Sequence, residues 1–134
     1  MVVWQENNWG GHFNLPIVRT GEFVREYFDY KIEIIENLNT TKIKEYLDQG
    51  IPVIVPADGK KLINPYFSNG GPEYHMLVIK GYVDDNFITN DPGTKRGEDF
   101  IYTTINLLDS VADWDTEQSH TNSNLKTGLV LLKK

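Results

Sequence analysis

A chain of 134 residues, 40% hydrophobic and 24% charged, has the composition of one globular domain and not of a disordered segment. Its formal net charge of −6 argues against a nucleic-acid-binding face, because Lys and Arg are outnumbered and nowhere clustered. With no cysteine, a disulfide framework, a thiolate metal site and a cysteine nucleophile are all excluded within these residues.

No apolar run approaches the roughly 20 residues that a membrane-crossing helix needs. The start does not resemble a signal peptide, since Met1-Val2-Val3-Trp4 passes at once into Gln5-Glu6-Asn7-Asn8. So abrupt a beginning fits a cytoplasmic start or a cut inside a larger domain, and an exported or cell-surface context is compatible with the second.

In chain order, residues 1–15 show no period, but Trp4, Trp9 and Phe13 are too apolar for a free tail and call for a packing partner. Thr20 is placed to cap a helix running to about Tyr30, with Phe23, Val24, Tyr27 and Phe28 on one face. A short strand over 31–35 follows. Asn39-Thr40-Thr41 offers N-caps for a helix carrying Ile43, Tyr46 and Leu47, and Gly50 stands where that helix should stop. Ile51-Pro52-Val53-Ile54-Val55-Pro56 is continuously apolar with a proline near each end, the pattern of a buried strand.

Residues 57–73 form a long loop holding Asn64-Pro65-Tyr66-Phe67 and Gly70-Gly71-Pro72. Ordered loops of this length are disproportionately functional. Strands are expected over 75–82, 86–90 and 100–103, then a helix with Ile105, Leu107, Leu108 and Val111, a polar loop over 113–127, and a last strand over 128–132. Helices first and a mostly antiparallel sheet second make an α+β protein.

The chemistry lies between Tyr74 and Gly93. His75 opens a buried strand, a polar turn follows, and Asp91 stands just past the end of the next strand. Alone, a histidine beside an apolar strand is more often a packing residue, and Asp91-Pro92-Gly93 is good turn chemistry. Together they suit nucleophilic catalysis, in which a base takes the nucleophile's proton and a third group holds the base's ring in one tautomer. The register is imperfect. The midpoint of 75 and 91 is Val83, whereas Asp84-Asp85-Asn86 centres on 85, so a regular hairpin would set Asp91 opposite Ile79. A bulge at Gly81 could absorb the difference.

The His-x5-Gly-Tyr pattern at 75–82, with an acid-and-proline step sixteen residues after the histidine, resembles the papain-like cysteine peptidases. It is most similar to the bacteriocin-processing (double-glycine leader) peptidases and their stand-alone relatives. The resemblance covers about residues 40–110 and includes the apolar strand Gly50-Ile51-Pro52-Val53-Ile54-Val55. It implies a papain-like fold, His75 as general base and Asp91 as its orienting partner. It also implies a nucleophilic cysteine at the start of an upstream helix, preceded by an oxyanion-hole glutamine. Neither has a counterpart here, and Gln5 has no cysteine after it. Truncation within the domain is the expected explanation, with residues 1–134 as its C-terminal part.

Other chemistries are weaker. No serine sits in a Gly-x-Ser-x-Gly elbow. His12, His75 and His120 show no metal-ligand spacing, and Asp84-Asp85-Asn86 lacks the ligand set of a calcium loop. Neither Gly10-Gly11 nor Gly70-Gly71 continues into a phosphate-binding motif. Tyr66, Phe67 and Tyr74 could line a peptide groove beside His75, or pin the long loop to the core. The expected activity is peptide hydrolysis through an upstream cysteine, with a peptide or protein substrate, no cofactor and no nucleic-acid partner. The alternative is a catalytically inactive module that binds peptides or a protein partner.

Overall fold

The computed structural model describes residues 14–92 and 96–133. The expectations resting on Trp4, Gln5, Trp9, His12, Phe13 and Gly93 lie outside the described residues. The described elements are helix α1 (Ile17–Tyr27), strand β1 (Tyr30–Ile35), helix α2 (Thr40–Asp48), strand β2 (Val53–Ala57), a 3-10 turn (Ser68–Gly70), strands β3 (His75–Val83), β4 (Asn86–Asn90) and β5 (Phe100–Thr103), helix α3 (Thr104–Ser110), and strands β6 (Asp113–Asp115), β7 (His120–Asn122) and β8 (Gly128–Lys133). Six strands make one sheet in the order β1-β8-β2-β3-β4-β5, and β6 and β7 form a separate hairpin. All pairings between these strands are antiparallel, so the fold is α+β as expected.

The two faces of the sheet bury different helices. Ile32, Ile34 and Leu129 lie beneath α1. On the opposite face Ile35, Val53, Val55, Leu77, Ile79, Phe87 and Val130 build the main core with Ile43 of α2 and Leu107 of α3. Helix α2 starts as its sequence dictates: the Asn39 side chain accepts a hydrogen bond of 2.8 Å from the Lys42 N–H, satisfying one of the donors that a first turn leaves free.

Two local expectations are corrected. Thr20 does not cap α1. The helix begins three residues earlier, and the Ile17 N–H donates to Asp113 Oδ1, 96 residues away in sequence, at 3.0 Å. Its inward face is Ile17, Thr20 and Gly21, while Tyr27 and Phe28 are exposed. The small face turns inward because the sheet lies very close: a methyl group on Gly21 would stand 2.6 Å from Ile32 Cδ1. The second correction is the polar stretch after α3, which folds back as the β6–β7 hairpin with Asp113 paired to Asn122.

Candidate active site

His75 is the first residue of β3, paired with Ala57 of β2, and its side chain belongs to the core face shared by Leu77 and Ile79. Asp91 follows the last residue of β4. The hairpin register joins them. Its turn is tighter than the residues suggest, pairing Val83 with Asn86 around Asp84-Asp85. Gly81 pairs with Ile88 but Ile79 pairs with Thr89, so Lys80 is an extra, bulged residue. Continued without the bulge, the first register would set Asp91 opposite Val78, with its side chain on the face away from His75. The one-residue shift sets it level with Leu77, on His75's own face.

The result is a direct contact: His75 Nε2 lies 2.5 Å from Asp91 Oδ1. The Asp91 side chain is fully buried, and that of His75 is 9% exposed. Nδ1 of His75 makes no hydrogen bond among the described residues, yet no described buried side-chain nitrogen or oxygen lacks a partner, so Nδ1 is not sealed off. An imidazole whose Nε2–H donates to a carboxylate presents its lone pair at Nδ1, the arrangement required of a general base.

The backbone of Asp91 is held by Gly97. Its N–H donates to the Gly97 carbonyl at 2.9 Å. A methyl group on Gly97 would fall on the Asp91 carbonyl, so this approach requires glycine.

Two residues that sequence reasoning missed complete the cluster. Tyr102 of β5 donates its hydroxyl proton to Asp91 Oδ2 at 2.6 Å. Asn64, in the long loop, donates from Nδ2 to the Tyr102 hydroxyl oxygen at 2.9 Å. Tyr102 is 2% exposed, and burial, reinforced by its bond to Asp91, pushes its phenol well above the ordinary value. The available signal was strand parity. Tyr102 pairs with Phe87 and Phe100 with Thr89, which sets Tyr102 on the face that Asp91 shares.

The three aromatic candidates part company. The Phe67 ring meets His75 edge-on, with centroids 5.3 Å apart, and Tyr66 is exposed with the Arg96 guanidinium 5.4 Å from its ring centre. Arg96 is thus engaged with Tyr66. Tyr74 packs on Trp114 and donates its hydroxyl to the Leu15 carbonyl at 2.6 Å, away from the His75 cluster. Among the described residues, no three His, Cys, Asp or Glu side chains gather as a metal site would need. No described helix is long and apolar enough to cross a membrane.

The model of the Peptidase_C39 like family matches residues 1–121. A solved structure described as a C39-like peptidase from Bacillus anthracis superposes with a TM-score of 0.63 over 95% of this chain. At 13% identity that likeness is one of fold, and the alignment spans 64% of the length of that chain. No curated protein matches the chain. The family match over nine-tenths of the sequence, with a fold shared by a C39-like peptidase, shows that the chain belongs to the Peptidase_C39 like family.

Proposed function

We propose that these 134 residues are the base-bearing, C-terminal part of one papain-like peptidase domain of the bacteriocin-processing type, hydrolysing peptide bonds through a cysteine supplied from outside them. The observation that carries this reading is the His75–Asp91 contact through Nε2, with Nδ1 left as the available base. In the proposed reaction Nδ1 takes the thiol proton and the thiolate adds to the scissile carbonyl carbon. The C–N bond then breaks, the imidazolium returns its proton to the leaving amine, and a thioester remains. Water, deprotonated by His75, adds to the thioester and releases the carboxylate product and the free thiol. Asp91 holds the ring in the Nε2–H tautomer throughout. Phe67 and Tyr66 would flank the peptide, and Tyr74 would serve the fold.

A second reading, an inactive peptide- or partner-binding module, is favoured by one observation: these residues contain no cysteine. The intact mass and free-thiol count of the full-length gene product separate the two. A longer polypeptide with one thiol that iodoacetamide labels rapidly, and slowly in His75→Ala, supports the peptidase. A thiol-free product of this length rules out cysteine catalysis and leaves the binding module.

A further inference from the structure

Four buried side chains form one hydrogen-bonded series, and its donor directions are forced from Asn64 as far as Asp91. The Tyr66 backbone N–H can only donate, and it does so to Asn64 Oδ1 at 2.9 Å. That contact fixes the Asn64 amide, turning its NH2 toward Tyr102, to whose hydroxyl oxygen it donates at 2.9 Å. The single phenolic proton is then directed at Asp91 Oδ2, a carboxylate oxygen that can only accept. The other carboxylate oxygen, Oδ1, faces Nε2 of His75 and, with Asp91 ionised, receives its N–H. Neither Asn64 nor Tyr102 can reverse without leaving a buried donor facing a donor or an acceptor facing an acceptor, and an ionised Asp91 in turn requires the proton of the neutral His75 ring on Nε2.

We propose that Asn64 and Tyr102 are positioning residues: they fix the rotation and charge of Asp91, and through it the Nε2–H tautomer of His75. The inference rests on the reading of His75 as the base. Tyr102 does this by holding the second carboxylate oxygen, so that Asp91 cannot rotate about its Cβ–Cγ bond without breaking two bonds. Donation from the phenol also favours the ionised form of a carboxylate that has no exposed side-chain surface. Asn64 links this state to the long loop, which is itself pinned to α3: the Ile63 N–H donates to Asn106 Oδ1 at 3.0 Å, and Asn106 Nδ2 donates to the Lys61 carbonyl at 2.9 Å. The conformation of the loop beside the histidine thereby sets the proton arrangement of the base.

The test is nuclear magnetic resonance of the full-length gene product, labelled at the aspartate carboxyl carbons and the histidine ring nitrogens, with Tyr102→Phe as the variant. The expected result is a rise in Asp91's protonation midpoint equivalent to about a tenfold gain in proton affinity, the worth of one charge-assisted hydrogen bond. The neutral His75 ring, Nε2–H alone in the parent, should divide between both tautomers. A lower melting temperature with midpoint and tautomer unchanged would overturn the proposal, since a merely structural tyrosine would behave that way. If Tyr102→Phe does not fold, Asn64→Ala decides by the same two readouts, with a smaller shift in the same direction. These readouts need no substrate. Shifts as expected in a product that hydrolyses no peptide would overturn the peptidase reading and leave the positioning roles standing.

Discussion

Asp91 reaches His75 because β3 carries one residue more than its partner strand: the bulge at Lys80 brings the carboxylate onto the imidazole's face of the sheet, 2.5 Å from Nε2. Strand alternation makes this an all-or-none relationship. A shift of one residue exchanges the two faces of a sheet, and no side-chain rotation across the strand can compensate.

Deleting Lys80 should therefore separate the pair, and the slowly exchanging Nε2 proton expected of His75 should be lost. Gly81→Ala should not separate it. Gly81 is outside the left-handed region, and an added methyl group would meet only the Ile88 side chain, at 3.7 Å. Its melting temperature should stay within about 5 °C of the parent, because an alanine is worth at most about 1 kcal/mol over glycine in a strand. Thermal melts and the imidazole proton spectrum check both halves.

Gly97→Ala is the converse case. The new methyl group would collide with the Asp91 backbone, so either the 96–99 segment or Asp91 must move. In either case the variant should lose the Asp91 N–H to Gly97 carbonyl bond. Hydrogen exchange at the Asp91 amide should rise while exchange in the β1–β8 ladder stays as in the parent.

Asp113 ties together parts of the chain far apart in sequence. It accepts from the Ile17 N–H at 3.0 Å, the Trp114 N–H at 2.8 Å and the Thr127 hydroxyl at 3.0 Å, and the Tyr74 hydroxyl lies 3.3 Å from it. Asp113→Ala leaves several of these donors unsatisfied at a buried position. At about 1–3 kcal/mol for each orphaned buried group, a loss on the order of 3 kcal/mol is expected in urea unfolding. Thr127→Val, which removes one donor and leaves the others paired, should cost less.

Tyr74 and Tyr102 give stability an alkaline limit. Burial raises both phenols above their ordinary value of about 10, helped by the Asp113 charge for Tyr74 and by the bond to Asp91 for Tyr102. The folded protein keeps these protons where the unfolded chain releases them. Their contribution is complete below pH ~10 and declines as pH rises toward the folded-state values. Urea midpoints should fall steeply above pH ~10, and Tyr74→Phe should flatten that fall. An unchanged slope in the variant would remove Tyr74 from the explanation.

Much of the fold was legible because it is written in local patterns. Asn39 and Gly50 bracket α2, the continuous apolar run 51–56 gives β2, and the imbalance between the 75/91 midpoint and the turn pointed to a bulge near Gly81. What escaped was set by tertiary contact. Thr20 looked like a cap because the true partner of the first turn of α1, Asp113, is 96 residues distant. Phe23, Tyr27 and Phe28 looked like a core face, but the close approach at Gly21 turns the small face inward. In the site, the histidine and aspartate share a hairpin and were readable as a pair. Asn64 and Tyr102 join them from a loop and a third strand, 38 residues apart, with no spacing to announce the contact.

The most direct test of the account is peptide hydrolysis by the full-length gene product and its His75→Ala variant, assayed with a reporter peptide at neutral pH. Loss of the base should lower kcat/KM by about a hundred- to ten-thousandfold, with the fold intact by circular dichroism. Hydrolysis undiminished in His75→Ala would contradict the assignment of His75 as the general base.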